Sequence, residues 1–143
     1  MKAQLETISL QTRKTQQLID VTEQVEEAIA RSGTANGLVT VTSMHTTAGI
    51  TVNERVECVQ SDITAFLERL APKNGKYRHA RYLEEWGGSA ANAESHLRLL
   101  VTGVSESFPI REGKIVKGSL QAIYFVELDG PALRRYTIQV IGE

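Results

Sequence analysis

Hydrophobic and polar residues alternate along several short stretches of the chain, and helical patterns lie between them. Alternation over residues 3–11 predicts a first strand. From Thr15 the apolar residues recur at helical spacing, which predicts a helix that ends at Gly33. A second alternating strand begins at Leu38. It continues into residues 44–54, where polar side chains are denser than a core strand requires.

The second half of the chain continues this mixed pattern. An apolar stripe predicts a second helix over residues 54–71, closed by Pro72, and Asn92 is expected to cap a short helix over residues 93–101. Further strands are predicted over residues 104–110, 114–116, 119–128 and 135–141. The order of elements predicts an α+β fold in which a mostly antiparallel sheet or sandwich is covered by two to three helices.

Length and composition narrow the class of protein. The 143 residues are expected to form a single domain, 1–143, with its own core. A net charge of -1 gives no broad basic field, so no nucleic-acid partner is expected. No apolar run approaches the length of a membrane span, and no signal-peptide core is present, which predicts a cytoplasmic protein with no membrane partner. Cys58 cannot form an internal disulfide and is expected to be a small buried residue rather than a nucleophile.

Residues 72–92 show no hydrophobic periodicity. A segment of this length is long for a loop in a compact domain. This stretch carries the cations and aromatic residues Lys73, Lys76, Tyr77, Arg78, His79, Arg81, Tyr82 and Trp86. One interpretation is a solvated loop. The other is a loop that folds over an anionic ligand, for which its cations supply charge and its aromatic rings a stacking face.

The three histidines, His45, His79 and His96, lie near polar clusters outside the apolar stripes. Three imidazoles can bind a zinc-like ion and leave a fourth position open for water or substrate. Their separation along the chain matches no local zinc motif, so only the fold could assemble such a site. The alternative for each of them is a hydrogen-bonded structural histidine.

Gln121 and Glu127 share one face of a predicted strand but would lie roughly 20 Å apart on it. One small ligand in one subunit could not touch both. Either only one of them is functional, or adjacent subunits share a site. Glu127 also has a structural alternative, because it could pair with Arg134 or Arg135 across the turn at residues 129–131.

Four motifs follow one another along the chain: His45–Glu54, Tyr77–His79, Asn92–Leu97 and Gly118–Glu127. In this order they resemble the motifs of the YjbQ-like family, known as secondary thiamine-phosphate synthases. The resemblance covers nearly the whole chain and implies an α+β homotrimer with polar sites around the motif histidines, at or near subunit boundaries. Two departures weaken a metal or general-base scheme. Ala80 stands where many relatives have an acid, and residues 88–91 lack the aspartate that tends to precede the third motif.

The resemblance and the chemistry of phosphate recognition together give the candidate site residues. The catalytic candidates are His45, His79, His96 and Gln121. The candidates for substrate binding are Thr46, Thr47, Asn53, Arg78, Arg98, Ser119 and Glu127. The three histidines are also the candidate ligands of a divalent metal, zinc or magnesium. Arginines and short hydroxyls suit phosphate oxygens, and an imidazole can donate a proton to a leaving oxygen.

These residues predict a small protein that acts on a phosphorylated small molecule, with weak thiamine-phosphate synthase activity as one form of that chemistry. Efficient diphosphate chemistry is not expected, because the chain has no glycine-rich phosphate loop and no acid pair at metal-binding spacing. The alternative is a non-catalytic module that binds a metal ion or an anionic metabolite. Alanine at His45 would separate the two, since an enzyme would lose turnover and keep its ligand.

Overall fold

The computed structural model describes residues 1–79 and 91–143. The strands are β1 (Lys2–Gln11), β2 (Gln17–Asp20), β3 (Gly37–Ser43), β4 (Ala48–Glu54), β5 (Ser105–Arg111), β6 (Lys114–Ile115), β7 (Gln121–Glu127) and β8 (Leu133–Gly142). The helices of this part of the chain are α1 (Thr22–Ser32), α2 (Glu57–Leu70) and α3 (Ala93–Thr102). The α+β prediction is therefore confirmed. None of these helices is both long and apolar enough to cross a membrane.

The strands form two antiparallel sheets. The larger sheet has the order β1-β8-β3-β5-β6, and the smaller one has the order β2-β7-β4. The first core lies between the two sheets and the inner face of α1, where Val25 and Ile29 meet Val41, Ile123 and Ile138. The second core lies on the other face of the small sheet, which α2 and α3 cover.

Strand β7 is buried on both faces and belongs to both cores. Ile123 and Phe125 point into the first core, while Tyr124 and Val126 point into the second. One face of this strand was predicted to carry Gln121, Ile123, Phe125 and Glu127. Its two middle residues, Ile123 and Phe125, pack toward the large sheet. A central strand with apolar residues on both faces fixes the register of its neighbours, because a slip by one residue would exchange the two cores.

The predicted helix from Thr15 begins later than expected. Gln17–Asp20 is a short edge strand that pairs with β7, and α1 starts at Thr22. Leu18 fits the helical pattern by spacing but packs on the small sheet in the second core. The end of α1 agrees with the prediction, because Gly33 adopts a left-handed conformation with φ of 63°.

The start of the second helix and the state of the cysteine also differ from prediction. Asn53 and Glu54 complete strand β4, opposite Ala122 and Gln121, and α2 begins at Glu57. Cys58 lies in the first turn of α2 and is exposed, so the prediction that it is buried is wrong. The solvent-exposed face of this turn points away from both cores. Of the predicted loop residues, Arg81, Tyr82 and Trp86 lie outside the described residues.

Candidate functional site

Two imidazoles from different segments of the chain lie side by side. The ring centroids of His79 and His96 are 5.0 Å apart, and the rings are tilted by 52°. They line a cavity of about 220 Å³ that opens to solvent, together with Tyr77, Arg78, Ala93 and Leu97. Sequence separates His79 and His96, and the fold brings them together. Arg78 is exposed at the same cavity, so one cation and two titratable groups share this opening.

A compact turn after α2 holds the first side of this cavity. The Tyr77 hydroxyl donates to the Pro72 carbonyl at 2.7 Å, and the Gly75 amide donates to the same oxygen at 3.0 Å. The Tyr77 ring packs directly on Gly75, where a Cβ atom would lie 2.5 Å from the ring. Arg78 and His79 directly follow this turn and lie at the cavity.

Helix α3 holds the second side and is tied to the end of β7. The Ser95 hydroxyl donates to the Leu128 carbonyl at 2.6 Å, and the Asn92 side-chain amide donates to the Asp129 carboxylate at 2.6 Å. Asn92 is the N-cap residue of α3, as predicted, but its side chain makes no capping hydrogen bond. Its amide instead links the helix start to the turn after β7. His96 follows Ser95 directly and is positioned by these bonds.

Arg98 does not fit its predicted role as a phosphate clamp. Its side chain is 3% exposed, and both Nε and Nη2 donate to the Ala71 carbonyl, at 3.0 and 2.8 Å. The guanidinium therefore satisfies the end of α2, where the last carbonyls of a helix have no intrahelical partner. It stabilises the contact between α2 and α3.

His45 lies where strand β3 leaves the large sheet. Its Nε2 accepts a hydrogen bond of 2.8 Å from the Arg135 amide, and the Met44 amide donates to the Arg135 carbonyl. The imidazole thus takes the place of a main-chain acceptor beside β8. Partial burial and the nearby Arg134 guanidinium lower the pKa of His45. These contacts support the structural alternative for this histidine.

We expect His45 to be neutral at pH 7 with its proton on Nδ1, because Nε2 is occupied as an acceptor. A pKa lowered by folding means that the unfolded chain takes up the proton more readily. The contribution of His45 to stability is therefore present above about pH 6.5 and is lost as the pH falls toward the folded pKa. Nitrogen NMR of the imidazole would show this tautomer and its titration. A His45 that carries its proton on Nε2 would contradict the assignment.

Glu127 lies at the centre of a buried ion-pair network. Its side chain is 0% exposed, and Arg134 donates to both carboxylate oxygens at 2.7 Å. Thr12 and the amides of Leu128 and Asp129 donate to the same carboxylate. Burial raises the pKa of Glu127, but these hydrogen bonds outweigh burial and leave the pKa below its usual value.

The structural alternative for Glu127, pairing with Arg134, is confirmed, although β7 and β8 belong to different sheets. Arg134 also donates to the hydroxyl of Thr47 at 3.1 Å, and Thr47 is buried. Glu127 and Thr47 are thus occupied inside the protein, which does not fit their predicted roles in substrate binding. Thr46 beside them is exposed.

The remaining candidates lie toward the opposite end of the small sheet. Ala48 pairs with Glu127 and Glu54 pairs with Gln121, so the two ends lie six positions apart along β7. Asn53 and Gln121 line an open cavity of about 300 Å³. The Gln121 side chain accepts a bond of 2.7 Å from the Gly118 amide. Ser119 is exposed and lines a different cavity.

The three predicted metal ligands do not converge within one chain. Among residues 1–79 and 91–143, no three histidine, cysteine or acidic side chains are arranged to hold a metal ion. His79 and His96 form a pair, while His45 is bonded to the backbone of β8. The sequence did not identify the two apolar residues, Ala93 and Leu97, that line the cavity beside the histidine pair. The position of Leu97 beside His96 in the sequence was the available signal.

Comparison with known proteins gives one consistent result. The family model described as UPF0047 protein YjbQ-like matches residues 6–143. A UPF0047 protein of Methanocaldococcus jannaschii is 34% identical over 135 residues, covering 94% of this chain and 91% of its own length. The UPF0047 protein YugU of Bacillus subtilis is 30% identical over 139 residues, covering 96% of this chain and 99% of its own length.

Solved structures agree with the sequence comparison. A YbjQ-like protein of unknown function from Sulfolobus solfataricus superposes with a TM-score of 0.92 at 33% identity, covering 99% of both chains. A hypothetical protein from Aeropyrum pernix superposes with a TM-score of 0.90, also at 33% identity, covering 98% of this chain and 99% of that chain. Sequence and fold thus lead to the same family over almost all of the chain, and the protein belongs to the YjbQ-like UPF0047 family.

Proposed function

We propose that this protein is an enzyme that acts on a phosphorylated small molecule at the cavity lined by His79, His96 and Arg78. The observation that carries the proposal is the pair of imidazoles 5.0 Å apart beside an exposed guanidinium. Weak thiamine-phosphate synthase activity is one reaction of this kind. In it, the ring nitrogen of a thiazole phosphate attacks the methylene carbon of a hydroxymethylpyrimidine diphosphate, a C–N bond forms, the C–O bond breaks, and diphosphate is released.

The role of each residue in the cavity follows from the chemistry of its side chain. Arg78 supplies a charge-assisted donor for a phosphate oxygen. One histidine of the pair can act as a general acid toward the leaving oxygen. The volume of about 220 Å³ is smaller than the roughly 300 Å³ at which pockets for larger ligands begin. It therefore accommodates only part of a substrate.

The rest of the substrate would then lie against a second copy of the chain in a homotrimer. The outer face of α3 supports this part of the proposal, because Leu97, Leu100 and Val101 are 42%, 81% and 55% exposed. These residues form an apolar stripe that continues from the cavity wall, and large exposed apolar patches commonly mark interfaces. Within one chain, Asn53 and Gln121 lie apart from the imidazole pair. A neighbouring copy could bring its own Asn53 and Gln121 to that pair.

Kinetics of single variants tests the enzyme. His96→Ala should lower kcat for thiamine phosphate formation, or for a responding substrate from a panel of phosphate esters and diphosphates, by about 100-fold. Arg78→Gln should mainly raise KM, by about tenfold, because it removes a charged phosphate contact. Arg69→Gln is the matched control, since Arg69 is exposed in the last turn of α2, and it should leave both constants unchanged.

A protein that binds phosphate compounds but turns none over would instead be the non-catalytic module. A metal-binding form of that module is favoured by the paired imidazoles, which zinc accepts as ligands. The described part of one chain supplies only these two histidines to such an ion, so a third ligand would have to come from another copy. Metal content and mass by light scattering test this directly. Near-stoichiometric zinc in a trimer, lost in His96→Ala, would support the metal site.

A further inference from the structure

A larger cavity lies away from the imidazole pair, between α1 and the short strand β6. Its volume is about 400 Å³, within the roughly 300–1,000 Å³ range of small-molecule sites. Ile29 of α1 and Ile115 of β6 form its apolar part, and Lys114, Lys117 and Glu26 supply charged groups. Neither histidine of the pair lines this cavity.

Two tight turns hold the walls of this cavity in place. The first joins β5 to β6, where Glu112 and Gly113 have φ of 52° and 73° as in a type I′ hairpin. The Gly113 amide also donates to the Ala35 carbonyl at 2.9 Å. The second turn covers residues 117–121, where Lys117 Nζ donates to the Gln121 carbonyl at 3.0 Å. Since both turns are fixed by their own hydrogen bonds, a ligand would need little ordering of the wall, which favours binding.

The chemistry of the lining selects the ligand. Two lysines and one glutamate leave a net positive charge. The partly buried Ile115 provides an apolar surface beside them, while Ile29 in the same wall is buried. The backbone of Gly113 and Gly118 also borders the cavity. We propose that this cavity binds a small organic anion, in which one carboxylate or phosphate group is attached to an apolar body. This site is separate from the proposed active site and does not depend on its chemistry.

Methyl NMR of the full chain tests the proposal with phenyl phosphate and benzoate as probes. Saturable shifts of the Ile29 and Ile115 methyl signals are expected with at least one probe. The Ala93 methyl lies at the imidazole pair and reports separately on binding there. His79→Ala should therefore leave the isoleucine response unchanged, whatever happens at Ala93. Absence of a saturable response at Ile29 and Ile115 with both probes would overturn the proposal. The preferred probe identifies whether carboxylate or phosphate is recognised.

Charge variants sharpen the test. Lys114→Gln and Lys117→Gln should each weaken binding by about threefold, as expected for a partly exposed ion pair. Glu26→Gln should strengthen it by about twofold, because it removes a repulsive charge. Lys2→Gln is the matched control, since Lys2 lies on β1 and does not line the cavity, and it should have no effect. Weaker binding in Glu26→Gln, with phenylalanine bound more tightly than benzoate, would indicate a zwitterion site and overturn the assignment to an anion.

Discussion

Replacing Glu127 with glutamine should lower the free energy of unfolding by about 3–5 kcal/mol, the usual cost of removing one partner from a buried ion pair. The substitution keeps the size of the side chain but leaves the guanidinium of Arg134 without its counter-charge. Arg134 is only 8% exposed, so water cannot replace the lost carboxylate. Urea denaturation monitored by circular dichroism would measure the change.

Glu6→Gln is the matched control for this substitution. Glu6 also pairs with an arginine at 2.7 Å, but Arg31 is 50% exposed in that pair. A surface pair of this kind contributes little to stability because solvent screens it, so Glu6→Gln should have a small effect. The two pairs share a distance and differ in burial. Equal losses in both variants would contradict the buried network, and Arg134→Met provides a second route to the same measurement.

The pH dependence of stability provides a further readout of the same pair. Folding lowers the pKa of Glu127, so its contribution is fully present above the unfolded value of about 4.3 and is lost as the pH falls through the folded pKa. The wild-type protein should therefore lose stability in acid faster than Glu127→Gln, whose side chain does not titrate. If the stability of the two proteins fell in parallel as the pH was lowered, groups other than Glu127 would cause the acid sensitivity.

Gly49→Ala should destabilise the protein by about 3 kcal/mol, the upper end of the usual cost of overpacking. A Cβ atom at Gly49 would lie 2.2 Å from the Gly103 carbonyl oxygen and 2.8 Å from Leu99 Cδ1. The main chain at Gly103 cannot move alone, because its carbonyl accepts the Ile50 amide. Helix α3 must therefore shift away from β4, and His96 moves with it.

Gly118→Ala is the control for this prediction, since it makes the same chemical change in a more open place. The nearest atom to a Cβ there is the end of the Gln121 side chain, at 3.3 Å, which can yield at little cost. We expect a change within about 0.5 kcal/mol. Chemical shifts of His96 should move in Gly49→Ala and stay in place in Gly118→Ala. An unshifted His96 in a destabilised Gly49→Ala would contradict the link between β4 and the imidazole pair.

The sequence was most informative where local rules govern the chain. Strand β1, the end of α1 at Gly33 and the strand that starts near Leu38 follow from alternation, helical spacing and the conformational freedom of glycine. The same rules failed at Gln17–Asp20, where a helical pattern continues although the chain pairs with β7. Four residues are too few for periodicity to separate a strand from a helix, and the pairing partner lies far along the chain.

The candidate site divides in the same way. Sequence identified His79, His96 and Arg78 as candidates, because polar groups of these types suit phosphate or metal chemistry. It could not show that His79 meets His96 while His45 bonds to Arg135. It also could not show which candidates lie inside the protein. Glu127, Thr47 and Arg98 have the same chemistry as ligand-binding residues. However, Glu127 and Thr47 accept hydrogen bonds from the Arg134 guanidinium, and Arg98 donates to the Ala71 carbonyl.

What the sequence determined by itself was therefore most of the secondary-structure elements and the types of reactive group, since both depend largely on neighbours along the chain. The tertiary structure decided which groups face each other and which are buried. That outcome depends on β7, whose two faces belong to two different cores. Once β7 is placed between them, hydrogen bonds from Ser95 and Asn92 to the residues that follow it position α3 and bring His96 to His79. Contacts of this kind join residues far apart in the sequence, and no local pattern encodes them.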